Sequence, residues 1–126
     1  MMKPFNKPII SLELVTKLIA AQFPQWAALL ISAVEFSGWD NKMFRLGDEL
    51  SIRLPSDEAY VAQVQKEQDW LPILAPQLEL PIPEPVAMGK PSDIYPWPWS
   101  IYRWTQYNLH LEEMLAILEE KLEKML

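Results

Sequence analysis

Apolar and polar residues alternate between Val34 and Leu54, which is the pattern of half-buried β-strands. Two short segments, 37–41 and 47–49, interrupt the alternation with glycine and polar residues that favour tight turns. The pattern therefore predicts three short strands joined by two turns. Its apolar positions are Val34, Phe36, Phe44, Leu46, Leu50, Ile52 and Leu54.

A helix is predicted on each side of these strands. Ser11 is placed to cap the first helix, which we expect to end near Gln22 because Pro24 disfavours helical backbone just before it. Ser56 is expected to cap the second helix, and Pro72 to limit it. The expected buried side of the second helix consists of Tyr60, Val61, Val64, Trp70 and Leu71.

Two further strands are predicted later in the chain, over residues 85–88 and 97–104. Five strands with an intervening helix indicate an α+β fold. Residues 1–10, which contain two prolines, are expected to form an extended arm. The domain proper then covers residues 11–104.

Residues 105–126 differ from the rest of the chain because apolar residues recur there at heptad spacing. This segment contains neither glycine nor proline, and lysines lie near its end, where the helix dipole favours cations. The pattern predicts a C-terminal amphipathic helix. Its seam consists of Leu111, Leu115, Leu118, Leu122 and Met125.

The composition excludes several classes of function. The 126 residues suit one domain, and their net charge of −6 argues against a nucleic-acid partner or an anionic membrane surface. No apolar stretch approaches the ~20 residues that span a bilayer. The chain has no cysteine and one histidine, so it indicates neither a disulfide framework nor a histidine-based metal site. Since no signal peptide is recognisable, we expect a cytoplasmic protein.

A small-residue turn between two strands, a basic residue on the third strand and a helix carrying a glutamate follow one another in this chain. Together these features resemble the N-terminal lobe of the aminoglycoside phosphotransferase family. The resemblance implies a kinase-like lobe with a helix packed on a five-stranded antiparallel sheet, and a further helix at each end of the chain. The matching segments are Ser37–Asn41, Phe44–Asp48, Ile52–Pro55, Lys66–Pro72 and Tyr95–Trp104.

The turn between the first two strands is the first implied site. In this family its backbone N–H groups hold nucleotide phosphates, as tight turns do for anions in general. The resemblance therefore assigns nucleotide binding to Ser37, Gly38, Asp40 and Asn41. Without the resemblance, the same residues are typical of an ordinary hairpin turn.

The resemblance implies two further nucleotide contacts. It makes Arg53 the strand cation that contacts the phosphates and Glu67 the helix acid that pairs with this cation. The alternative is a surface arginine and a solvated glutamate. A contact with the base is implied for the backbone of Arg103 and Trp104, whereas the aromatic residues before them are more typical of core packing.

The catalytic base and the metal-binding acids of this family lie in a C-terminal lobe, and no residue of this chain matches them. The last aspartate is Asp93, and His110 is followed by leucine and glutamate, not by a glycine and an aspartate. We therefore assign no catalytic or metal-binding residue. The expected function is that of a truncated domain, which binds ATP or GTP with Mg²⁺ at most weakly and is inactive alone. The alternative is a non-catalytic interaction module built on the same fold.

We predict that the chain forms a homo-oligomer, a dimer or higher, through the heptad seam in residues 108–126. A kinase-like lobe without its partner lobe would leave Trp97, Trp99 and Trp104 in an exposed apolar patch. A helix of about 19 residues is also marginal in water unless it packs against something. The alternative is docking of this helix on its own sheet, which leaves the chain monomeric.

Sedimentation equilibrium separates the two arrangements. The wild-type chain should associate with increasing concentration, and the double variant Leu115→Glu/Leu122→Glu should not, because two charges then interrupt the seam. A wild-type mass that stays near 14.7 kDa at every concentration would contradict the prediction.

Overall fold

A computed structural model of the chain describes residues 9–34, 41–74 and 84–104, together with residues 120 and 123. This part of the chain has the predicted α+β fold, with a five-stranded antiparallel sheet. The helices are α1 (Leu12–Gln22) and α2 (Val61–Leu74), and the strands are β1 (Ile31–Ala33), β2 (Asn41–Leu46), β3 (Leu50–Pro55), β4 (Pro85–Gly89) and β5 (Trp99–Arg103). Short 3-10 turns occupy Pro24–Trp26 and Glu58–Tyr60.

Several predictions concern residues outside the described ranges, and they stay predictions. They are the extended arm before residue 9, the phosphate-binding role of Ser37, Gly38 and Asp40, and the C-terminal helix with its seam residues Leu111, Leu115, Leu118, Leu122 and Met125. Within the described ranges, no helical segment combines the length and the apolar composition that crossing a membrane requires.

The sheet is built around β3, which lies between β2 and β5 in the order β1-β2-β3-β5-β4. Every neighbouring pair is antiparallel, and all six residues of β3 are buried. The turn between β2 and β3 confirms the prediction for residues 47–49. Gly47 has a φ of 61° there, a left-handed conformation that glycine adopts without a steric penalty.

Because side chains alternate across a strand, the sheet has two different faces. One face carries Leu50, Ile52 and Leu54 of β3 and packs against α1 in the main apolar core. Burying each such side chain is worth about 1.5–3 kcal/mol. The buried members of this core are Val15, Leu18, Ile19, Phe44, Leu46, Leu50, Ile52, Leu54, Tyr95, Trp99 and Ile101. The opposite face lies under α2 and is more polar.

The ends of α1 agree with the sequence. The Leu14 N–H donates to the Ser11 hydroxyl at 3.1 Å, and the last helical residue is Gln22. This confirms both predicted boundaries.

The prediction for the start of α2 was wrong. The capping side chain is Asp57, whose carboxylate accepts from the Ala59 N–H at 3.2 Å, and not Ser56. The cap begins a 3-10 turn, and α2 itself starts three residues later, at Val61. A carboxylate at this position also interacts favourably with the positive end of the helix.

The prediction for the end of α2 was also wrong, because the helix continues through Pro72 to Leu74. Proline removes one backbone hydrogen bond, but here the loss falls in the last turn and Leu71 is buried against the sheet. Val64, Glu67 and Leu71 form the buried side of the helix. Tyr60, Val61 and Trp70, which we expected there, are only partly buried.

Two strand boundaries differ from the prediction. The first strand is Ile31–Ala33 and not the segment that starts at Val34, because Ile31 and Ala33 are opposite Leu46 and Phe44 of β2. The second strand already begins at Asn41, which the sequence placed in the turn. The fourth and fifth strands lie where they were predicted, although β5 ends one residue earlier and starts two residues later.

Trp99 contradicts the expectation of an exposed aromatic patch. Its side chain is completely buried, and its ring contacts Phe23 edge-to-face, with the ring centroids 5.5 Å apart. Trp97 and Trp104 are partly buried. The aromatic run thus belongs mostly to the core, as the alternative interpretation held.

Replacing Gly89 with alanine should destabilise the protein by about 1–3 kcal/mol, because overpacking of a filled core costs this much. A Cβ atom at Gly89 would overlap the indole ring of Trp99, which is completely buried in the core. Urea denaturation of Gly89→Ala measures the loss. Met88→Ala is the control, because Met88 is the neighbouring residue of β4 and its side chain is exposed. Equal stability of the two variants would contradict the prediction.

Candidate functional site

Arg53 and Glu67 form a buried ion pair between the central strand and α2. The Arg53 Nη1 and Glu67 Oε1 atoms are 2.7 Å apart, and the two side chains are only 4% and 8% exposed. Strand alternation turns Arg53 away from the apolar core, and helical spacing places Glu67 on the buried side of α2. The predicted pairing is therefore confirmed, and the alternative of a surface arginine with a solvated glutamate is wrong.

A third residue, Tyr102 of β5, completes this cluster, which we call the buried triad (Arg53, Glu67 and Tyr102). The Tyr102 hydroxyl donates to Glu67 Oε1 at 2.6 Å, so this carboxylate oxygen accepts from both other members. Burial raises the pKa of Tyr102 well above its usual value, and the negative charge of Glu67 raises it further. Tyr102 is therefore a hydrogen-bond donor at any physiological pH.

The role of Tyr102 was missed in the sequence, which indicated only core packing. Its position depends on the register between β3 and β5, where Ser51 is opposite Tyr102 and Arg53 is opposite Ser100. This register brings together residues about fifty positions apart. The local pattern of apolar and polar residues does not indicate which register the two strands adopt. The available signal was the period of two along β5, which puts Ser100 and Tyr102 on one face.

Two more polar contacts hold α2 on this face of the sheet. Gln68 Nε2 donates to the Ser100 hydroxyl at 3.2 Å and to the Ala87 carbonyl at 3.1 Å. These bonds connect the helix to both β5 and β4. Glu67 and its neighbour Gln68 therefore fix α2 by hydrogen bonds, in addition to the burial of Val64 and Leu71.

Arg103 and Trp104, the implied base contacts, lie at the end of β5. Their backbone N–H groups already donate to carbonyl oxygens, Arg103 to Glu84 at 2.9 Å and Trp104 to Glu49 at 2.7 Å. A ligand could receive these N–H groups only by displacing those bonds. The Arg103 side chain is exposed and lies 3.3 Å from the Glu84 carboxylate. A role of either residue in base binding stays a prediction.

The indole ring of Trp104 is covered by a second arginine of the same sheet face. The Arg45 guanidinium carbon lies 4.6 Å from the centre of the ring, which is cation–π distance. Arg45 is opposite Ser51, which is in turn opposite Tyr102. The structure therefore brings the buried triad and Trp104 to one face of the sheet.

The phosphate-binding turn is described only at its end. Asn41 is the first residue of β2 and is opposite Pro55. Its assignment to nucleotide binding, like that of the turn residues before it, stays a prediction.

The described residues include one buried cation, Arg53, at the centre of the polar face of the sheet. Arg53 supplies a fixed cation, and a guanidinium suits phosphate oxygens. Among these same residues, no three histidine, aspartate or glutamate side chains lie close enough together to hold a metal.

Comparisons with known proteins agree with this geometry. A family model described as the phosphotransferase enzyme family matches residues 32–119. No curated protein sequence matches the chain.

Three solved structures illustrate the similarity. The GDP complex of wild-type aminoglycoside 2'-phosphotransferase-IIIa is 27% identical, with a TM-score of 0.65, and the alignment covers 73% of this chain. The GDP and kanamycin complex of APH(2")-IIIa has the same identity and coverage, with a TM-score of 0.64. ADP-bound APH(2'')-Ib is 14% identical over 77% of this chain, with a TM-score of 0.52, and shows the fold alone. The alignments cover only about 30% of the length of these three proteins.

Glu67→Ala should lower the free energy of unfolding by about 3–5 kcal/mol, because it leaves the buried Arg53 without this carboxylate. The double variant Arg53→Met/Glu67→Leu should recover much of the loss, because apolar side chains of similar volume often replace a buried pair at little cost. Denaturant unfolding measures both variants.

Glu84→Ala is the matched control for this test. Glu84 also pairs with an arginine, but both side chains are more than half exposed, and such pairs are worth about 0–1 kcal/mol. If Glu67→Ala costs no more than Glu84→Ala, the buried pair does not stabilise the fold.

Proposed function

Because the chain belongs to the phosphotransferase enzyme family, we propose that it provides the nucleotide-binding N-terminal lobe of a kinase that phosphorylates a small molecule. The buried ion pair of Arg53 and Glu67 carries this proposal. Burying an arginine on the central strand costs free energy unless the charge is paired. Here Glu67 pairs with Arg53 and fixes the orientation of its guanidinium.

Phosphoryl transfer needs mainly positioned charge, because the transition state spreads negative charge over the phosphate oxygens. Arg53 presents a planar fork of donors, one of which, Nη1, is held by Glu67. In this proposal Arg53 donates to phosphate oxygens, and Glu67 keeps the guanidinium from turning away. The nucleotide named for the similar structures at 27% identity, GDP, supports a purine nucleotide as the ligand.

The remaining nucleotide contacts follow from the family resemblance. The turn containing Ser37, Gly38, Asp40 and Asn41 would hold phosphate oxygens through backbone N–H groups. The segment at Arg103 and Trp104 would contact the base. Since both of these N–H groups are engaged, the contact falls to other groups of the segment.

The same proposal assigns no residue to activation of the acceptor hydroxyl, because no residue of this sequence matches the catalytic base that the family resemblance implies. The kanamycin in one of the similar structures supports an aminoglycoside-like acceptor. Alone, the chain is expected to bind nucleotide weakly, because half a cleft leaves much of the ligand exposed.

Binding of GTP or ATP should depend on Arg53. Isothermal titration calorimetry with Mg²⁺ should give weaker binding for Arg53→Ala by roughly 1.5–3 kcal/mol, the range for a hydrogen bond to a charged group. Arg53→Lys should lose less, because it keeps the charge but not the planar fork. Circular dichroism verifies that each variant is folded.

Lys17→Ala is the control for the loss of one positive charge. Lys17 is exposed, pairs with Glu13 and belongs to α1, on the other side of the sheet. Equal affinities of folded Arg53→Ala and wild type would show that Arg53 is not a ligand. Absence of any nucleotide binding by the wild type would contradict the proposed function and favour the non-catalytic interaction module.

A further inference from the structure

We infer that Tyr102 is a positioning residue, whose hydroxyl orients the Arg53 guanidinium by holding the Glu67 carboxylate. The expected effect on nucleotide binding rests on the proposed function. The hydrogen-bond geometry of the three side chains does not depend on that function. Tyr102 and Arg53 donate to the same oxygen, at 2.6 and 2.7 Å, from two neighbouring strands.

The carboxylate needs such a second donor. A glutamate side chain has three rotatable bonds, so one ion pair leaves its carboxylate several orientations. Tyr102 has a rigid ring, is completely buried and lies on β5, which pairs with the strand of Arg53. Its hydroxyl therefore defines the position of Glu67 Oε1 relative to the sheet. Without this hydroxyl, the carboxylate loses one of its fixed donors, and the guanidinium loses one constraint on its orientation.

The hydroxyl is suited to this role because it keeps its proton. Burial raises the pKa of Tyr102, so the group donates and never competes with Glu67 for the cation. Tyr102→Phe removes only the oxygen atom and leaves the ring in the core. The variant thus separates the hydrogen bond from the packing.

Tyr95 provides a matched control within the chain. It is also completely buried, and its hydroxyl donates to the Pro55 carbonyl at 2.6 Å. Tyr95 belongs to the apolar core on the α1 side of the sheet, and its hydroxyl is bonded to β3 backbone and not to the Glu67 carboxylate oxygen that Tyr102 and Arg53 share. Tyr95→Phe therefore loses a comparable buried hydrogen bond outside the triad. A purely structural role for Tyr102 predicts equal behaviour of the two variants.

The direct readout is the NMR spectrum of the Arg53 guanidinium in the ¹⁵N-labelled chain, without nucleotide. Hydrogen bonds in a fixed geometry slow rotation of the guanidinium and keep its N–H signals separate. We expect separate signals in the wild type and in Tyr95→Phe, and merged signals in Tyr102→Phe. If Tyr102→Phe keeps the wild-type signals, or if both variants lose them, the positioning role is overturned.

Ligand binding tests the consequence. Tyr102→Phe should weaken GTP and ATP binding about tenfold, the equivalent of one hydrogen bond to a charged group. Binding of guanosine and adenosine, which lack phosphates, should be unchanged, and Tyr95→Phe should bind all four ligands as the wild type does. Equal weakening for nucleosides and nucleotides would overturn the inference. If the wild type binds no nucleotide, the proposed function fails, while the guanidinium signals still decide the positioning role.

Discussion

The structure depends on a charged guanidinium that is buried in the central strand of its sheet. Removing a charge from water costs several kcal/mol, so Arg53 requires an anion in the same buried layer. Glu67 supplies this anion from α2, and the carboxylate in turn receives the Tyr102 hydroxyl. The need to neutralise the buried Arg53 charge therefore constrains two features of the fold. These are the position of α2 on the sheet and the pairing of β3 with β5.

The two faces of the sheet differ in the polarity of the side chains that they bury. The α1 face is apolar and holds the large side chains that give the lobe its core, including Trp99 in contact with Phe23. The α2 face carries Arg53, Ser51, Ser100 and the other polar groups. Burying polar groups is costly unless they are hydrogen-bonded, and the bonds of the triad and of Gln68 supply partners for Arg53, Tyr102 and Ser100.

A comparison of the two arginine–glutamate pairs shows why burial matters. Arg103 and Glu84 are also within ion-pair distance, yet water screens both partners and the pair has little influence on the fold. Arg53 and Glu67 are almost completely shielded, which strengthens their attraction and makes the loss of either partner expensive. The buried pair therefore constrains the Arg53 guanidinium more strongly than the exposed pair constrains Arg103.

Local features of the sequence determined the elements and their order. Strand alternation, Gly47 in its turn and Ser11 at its cap are interactions between residues close in the chain, so the pattern alone predicts them. The order of these elements, together with the family resemblance, also predicted the pairing of Arg53 with Glu67. Competing local signals were less reliable, since Asp57 and not Ser56 caps the turn before α2.

Tertiary structure decided everything that depends on register and on contact between distant segments. Tyr102 meets Glu67 because β5 pairs with β3 in one register, and a shift by one residue would turn its hydroxyl to the other face. Trp99 is buried because Phe23 and Gly89, far apart in sequence, leave a space that its ring fills. The sequence by itself determined which residues are suited to a strand, a turn or a charged pair. Which of these residues come into contact depends on the packing of distant segments. Strand pairing joins positions far apart in the chain, and the local pattern of apolar and polar residues does not indicate which positions pair.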